Sequence, residues 1–153
     1  MRAHWVLQEF SLPYETKPIG PRTGETQTAA YLAINPKGKV PTLPHGDLIL
    51  TESVAILGYV TQNFDTPPDF FVPYDRYGKA RLDEWSAFIA MELDAHSLYT
   101  MRRHGDLHKI YGRAPMAVDS AKEYFLKQFH AVIPGVLESQ PYLMGDVLSS
   151  ADI

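Results

Sequence analysis

Between Asn35 and Ser53 the chain carries three prolines and two glycines, which leave it few ways to fold. Residues 40–43 and 48–50 are short apolar runs, and Pro44-His45-Gly46-Asp47 between them supplies turn residues suited to a hairpin. A strand of about four residues runs roughly 13 Å out, its partner returns as far, and antiparallel neighbours lie about 5 Å apart. Val40 is therefore expected beside the Thr51-Glu52-Ser53 turn. Ser53 opens a helix, where free backbone N–H groups and the positive end of the dipole favour a carboxylate. Val40 precedes a proline and is biased towards an extended backbone, whose N–H and C=O edges suit a peptide-like ligand.

The flanking sequence reads as a small α/β unit. Ala3, Val6, Leu7 and Phe10 fall at helical spacing, and Leu12-Pro13 ends that helix. Residues 14–19 read as a short strand, 20–24 as a Gly- and Pro-containing loop, and 26–34 as a short helix capped by Thr26 or Thr28. The helix from Glu52 onward should turn Val54, Leu57 and Val60 towards a core. Residues 63–73 hold three prolines and no periodicity, which makes them the best linker in the chain. Beyond them, 74–104 reads as one long helix with Leu82, Trp85, Ile89 and Leu93 on one face. A second follows Pro115, with Val118, Ala121, Phe125, Phe129 and Val132 stepping by three or four, and Pro134-Gly135 should kink or end it. The expected domains are residues 1–63, a linker over 64–73, and an all-helical part over 74–153.

Acids and bases are interspersed, with a net charge of −4 and no basic block, so neither nucleic acid nor an anionic membrane is an expected partner. No stretch approaches the apolar length of a membrane span, and the first ten residues lack the apolar region of a signal peptide. A cytoplasmic protein is the expectation. The absence of cysteine excludes disulfides, zinc fingers and a cysteine nucleophile within this chain. His104 and His108 have the i,i+4 spacing of a helical zinc pair, but Gly105 lies between them and no third ligand follows, so no metal is expected. Arg102 and Arg103 suit either an anionic ligand or the negative end of a helix dipole.

Asn35-Pro36-Lys37-Gly38-Lys39-Val40-Pro41, followed by Thr51-Glu52-Ser53, resembles the glutathione site in the thioredoxin-like half of glutathione S-transferases. The resemblance extends over nearly the whole chain. Leu12-Pro13-Tyr14-Glu15 is similar to the usual exit from the family's first helix, and Ser53-Val54-Ala55-Ile56 to the opening of the third. Leu143-Met144-Gly145-Asp146 with Ser149-Ser150-Ala151-Asp152 resembles the buried capping box of the helical half. There Ser149 would accept from a helix N–H while Asp152 reaches back three residues.

The resemblance implies an α/β plus all-α fold: a thioredoxin-like glutathione-binding half followed by a helical bundle. It implies glutathione as co-substrate, with no metal, conjugated as its thiolate to an electrophilic small molecule in a detoxification reaction. By the same resemblance Val40, ahead of a cis-Pro41, pairs main chain to main chain with the cysteinyl part of glutathione. Glu52 and Ser53 bind the γ-glutamyl amine and carboxylate, and Lys39 lies near the glycyl carboxylate. A homodimer is implied for the complete protein.

Family members begin with a strand ahead of the first helix, closely followed by the Tyr, Ser or Cys that activates the thiol. This sequence starts inside that helix and stops just after the capping box, so truncation at both ends is expected. The catalytic position would then precede Met1, the helical bundle would be partial, and the strands at 14–19 and 40–43 would lack a common neighbour. Two further readings stay open: a non-catalytic glutathione-binding or interaction module, and a non-functional fragment.

Overall fold

Val6, Leu7 and Phe10 put one apolar face on α1 (Arg2–Glu9), and α3 (Ser53–Asn63) packs Ile56, Leu57 and Val60 against it. Val6, Ile56 and Val60 have no exposed surface, so this helix pair is the centre of the first of two units. The computed structural model describes all 153 residues; Met1–Pro68 with Ile153 makes one unit and Asp69–Asp152 the other. The buried face of α3 differs from the sequence expectation at one position. Ile56, not Val54, joins Leu57 and Val60, because positions four apart stack on a helix and 56 and 60 form that pair.

A 3₁₀ turn (Glu25–Gln27) leads into α2 (Ala29–Leu32), and the Thr28 hydroxyl caps it by accepting the Tyr31 N–H at 3.3 Å. The hairpin is present, but its ladder lies two residues later on the first strand than the apolar run suggested. Strands β1 (Thr42–His45) and β2 (Leu48–Thr51) pair Thr42 with Thr51 and His45 with Leu48. The reason is the turn, which uses only Gly46-Asp47; Gly46 supplies a φ of 58° that a two-residue hairpin needs. Pro44 and His45 are thereby drawn into the ladder.

Residues 14–19 form no strand, contrary to the expectation from the sequence. A strand exists only by pairing, and β1 pairs with β2 alone. Pro18 further deprives the segment of one amide donor.

In the second unit the 63–73 stretch is not wholly irregular. Phe70 and Phe71 form a short strand, β3, in parallel pairing with β4 (Leu148–Ser149), and Phe70 is buried. Helix α4 (Arg76–Ala87) starts where Asp75 Oδ1 accepts the N–H groups of Tyr77 and Gly78, each at 2.8 Å. The expected single helix over 74–104 is interrupted in kind. Wider π-type turns occupy Phe88–Leu98 and Arg102–Asp106, with α5 (Tyr99–Met101) between them. Short α6 (His108–Tyr111) follows and ends at Gly112, whose φ is 84°.

Helix α7 (Pro115–Leu137) runs through Pro134 rather than ending there. Pro134 removes one N–H donor, yet its own carbonyl still accepts from Glu138 at 2.9 Å. Ile133 is buried with Trp85 and Ala151, and Val132, Val136, Phe129 and Leu82 pack on that cluster. Burying side chains of this size, at roughly 1.5–3 kcal/mol each, outweighs one missing backbone bond of about 1 kcal/mol. Tyr124 on α7 donates to Glu92 Oε2 at 2.5 Å, tying α7 to the first wide-turn segment. No helix is long and apolar enough to cross a membrane.

The capping box makes its reach-back bonds, but the N–H that Ser149 accepts belongs to a turn and not to a helix. The Ala151 N–H donates to Ser149 Oγ at 3.2 Å, and Asp152 reaches back to accept from the Ser149 N–H at 2.9 Å and its hydroxyl at 2.7 Å. The other Asp152 oxygen accepts the Leu143 N–H at 2.8 Å. Asp152→Ala therefore leaves three donors without an acceptor. Denaturant unfolding of this variant should show a loss of about 2–4 kcal/mol; a loss below about 0.5 kcal/mol would mean the box does not hold the 143–149 segment in place.

Candidate functional site

Because Thr42 faces Thr51, one end of the hairpin gathers Val40 and Pro41 from one side with Glu52 and Ser53 from the other. The Val40–Pro41 peptide bond is cis, as the resemblance implied. Val40 remains 45% exposed, so the residue lies at the surface of the unit.

The loop before Val40 is held from beneath. Asn35 is buried, and its amide nitrogen donates to the Lys39 carbonyl at 2.7 Å and to Thr42 Oγ1 at 3.1 Å. Its amide oxygen accepts the Lys37 N–H at 3.1 Å, an Asx-type turn of the kind an Asn-Pro pair favours. The Tyr31 hydroxyl also donates to the Lys39 carbonyl, at 2.7 Å, and lies 3.0 Å from Thr42 Oγ1. Gly38 has a φ of 60°, and a Cβ there would come within 2.5 Å of the Gln27 side-chain nitrogen, which donates to the Gly38 carbonyl. The loop thus needs both the conformation and the missing side chain of glycine.

Glu52 opens α3 with a φ of 70°, in the left-handed region that a glutamate adopts only at a cost of roughly 1–3 kcal/mol. Its carbonyl accepts the Ile56 N–H at 3.0 Å, and no side chain caps the helix start. The first amides of α3 therefore point outward beside Ser53 as a positive helix end. The Glu52 carboxylate is 67% exposed and meets Lys37 Nζ at 2.5 Å. That hydrogen bond holds its carboxyl below the ordinary glutamate range, opposed by partial burial and reinforced by the charges of Lys37 and Lys39.

All five residues singled out from the sequence lie in this region: Lys39, Val40 and Pro41 on the loop, Glu52 and Ser53 at the helix start. Three contributors went unassigned there. Lys37 is the partner of Glu52, and Asn35 and Tyr31 fix the backbone under Lys37 and Lys39. Asn-Pro signals a turn, but nothing in a linear sequence says that the asparagine is buried.

Outside this region the histidine pair is turned to backbone carbonyls. His104 Nδ1 lies 3.0 Å from the Gly112 oxygen and His108 Nδ1 2.6 Å from that of Gly105, and no group of three His, Cys, Asp or Glu is placed to hold a metal. The Arg103 guanidinium stacks 4.8 Å from the centre of the Tyr111 ring.

Residues 1–62 match the family described as glutathione S-transferase, N-terminal domain. The glutathione S-transferase-like protein gedE of Aspergillus terreus is 31% identical over 168 residues, spanning 97% of this chain and 67% of that protein. The chain belongs to the glutathione S-transferase family. Human glutathione S-transferase theta-1 is 40% identical over 88 residues, 57% of this chain and 36% of that one. Among solved structures, that of glutathione S-transferase-I with lactoylglutathione superposes with a TM-score of 0.77 at 29% identity, covering 98% of this chain and 71% of that one. The chain thus spans about two thirds of the fungal relative and about a third of the human one. Its fold is the family's: a thioredoxin-like unit followed by a helical one.

The Lys37 contact makes a prediction about pH. A carboxyl whose folded value is depressed contributes stability above its unfolded value and loses it as pH falls through the folded one. The pair is exposed, so the gain is small, as for other surface ion pairs. A carbon-detected NMR titration should place the Glu52 midpoint below that of an unperturbed glutamate, and Lys37→Gln should raise it. An identical midpoint in the two proteins would show that the contact is not populated in solution.

Proposed function

We propose that this chain binds glutathione at the open end of its hairpin, and that the whole protein conjugates the bound thiolate to an electrophilic small molecule. The observation that carries this reading is the convergence, in a member of this family, of the Val40–Pro41 edge with the strained helix start at Glu52–Ser53, which no side chain caps. In this reading Val40 offers its backbone to the cysteinyl residue, as a strand edge receives a peptide. The Glu52 carboxylate takes the γ-glutamyl ammonium, and Ser53 with the first α3 amides takes its carboxylate. Lys39 lies towards the glycyl carboxylate. A comparable fold holding lactoylglutathione supports a glutathione-type ligand.

Conjugation forms a carbon–sulfur bond as the thiolate sulfur attacks the electrophilic carbon; the displaced electron pair departs with the leaving group or, in an addition, moves onto the acceptor, which takes up a proton. The thiolate must first be stabilised at neutral pH, by a hydrogen-bond donor or a positive helix end. The thiol-activating residue is unassigned, and a homodimer acting in the cytoplasm belongs to the same proposal.

Titration calorimetry tests the binding step. Glu52→Ala removes the only carboxylate assigned to the ligand ammonium, and glutathione affinity should fall roughly tenfold, about 1.4 kcal/mol. That is modest for a charge contact because Glu52 is exposed to water. Unchanged affinity in a folded variant would remove Glu52 from the site.

A further inference from the structure

We propose that Lys37 is a further ligand-binding residue of this site, pairing with the γ-glutamyl α-carboxylate while Glu52 pairs with the ammonium on the same carbon. The assignment rests on the glutathione reading above and makes the Lys37–Glu52 pair a selector for a zwitterionic amino-acid end.

The geometry supplies two opposite charges side by side, each with bonding capacity left over. Lys37 Nζ reaches Glu52 Oε1 at 2.5 Å and makes no other bond. An ammonium carries three donors, so two remain, and Glu52 Oε2 is still available as an acceptor. An α-amino acid presents its ammonium and carboxylate on neighbouring atoms, so its charges can lie antiparallel to this pair. Each ligand charge then meets its opposite without separating the two side chains.

Charge count favours the same arrangement. Lys37 and Lys39 both act on the one carboxylate of Glu52, and the positive end of α3 adds to them. Lys37 and the helix end thus offer positive charge to an incoming carboxylate on the side of Glu52 that the ammonium leaves free. The backbone beneath Lys37 is also fixed. Its N–H is held by the buried Asn35 side chain at 3.1 Å, and the Gly38 N–H bonds to the Asn35 carbonyl at 2.9 Å. Only the lysine side chain, 46% exposed, has freedom to adjust to a ligand.

A lysine that merely oriented Glu52, or that competed with the ligand ammonium for it, would respond differently to removal of the ligand carboxylate. The test is therefore calorimetric titration at low salt of two ligands, glutathione and its decarboxylated analogue 4-aminobutyryl-cysteinyl-glycine. Each is titrated into the unaltered chain, Lys37→Gln and Lys37→Arg. Lys37→Gln should weaken glutathione about 5–10-fold and change the analogue by less than about twofold, while Lys37→Arg restores most of the loss. Equal weakening of both ligands, tighter binding of both, or no change overturns the assignment. If the unaltered chain binds neither ligand, the glutathione reading fails and this assignment falls with it. Binding of glutathione that ignores Lys37 overturns the assignment alone.

Discussion

The buried amide of Asn35 is the constraint on which the first unit's functional end depends. It is almost wholly out of water, and its two donors and one acceptor site are all used within seven residues: the Lys37 N–H, the Lys39 carbonyl and the Thr42 hydroxyl. A buried amide without partners costs several kcal/mol, so loop conformations that break these bonds are strongly disfavoured. Tyr31 adds a second donor to the Lys39 carbonyl from α2. The loop, the short helix before it and the first residue of β1 are thereby joined through a few atoms.

Two strands of four residues are marginal by themselves. The α1–α3 core of the same unit, centred on Val6, Ile56 and Val60, anchors the hairpin through α3, into which β2 leads directly. With the hairpin end set by that core and the loop set by Asn35, Glu52 is left at an unfavourable φ facing Lys37. Strain at the head of a helix with no side-chain cap is uncommon in a purely structural turn, and it is the feature that most separates this end of the hairpin from the Gly46-Asp47 end.

Much of this was legible before any coordinates. The hairpin followed from Pro44-His45-Gly46-Asp47 between apolar runs, α1 from the spacing of Ala3, Val6, Leu7 and Phe10, and the Ser149–Asp152 box from its resemblance to the family's capping box. Each is a local pattern with a local cause. What could not be read depended on partners distant in sequence. Residues 14–19 read as a strand but have nothing to pair with, whereas Phe70-Phe71 lie in a stretch without periodicity and become a strand because Leu148-Ser149 lie beside them. Pro134 is a helix breaker in isolation and is overridden by the Trp85 cluster. The Lys37–Glu52 contact spans fifteen residues, and a lysine on a loop carries no mark of its partner.

The proposed site places the γ-glutamyl and cysteinyl parts of glutathione at one end of the hairpin and not in the helical unit. Backbone amide shifts of isotope-labelled protein during a glutathione titration test it most directly. Saturable changes are expected to centre on Lys37, Val40 and residues 51–55, with none comparable in α7. Saturable changes centred in α7, or no changes at millimolar glutathione in folded protein, would contradict it.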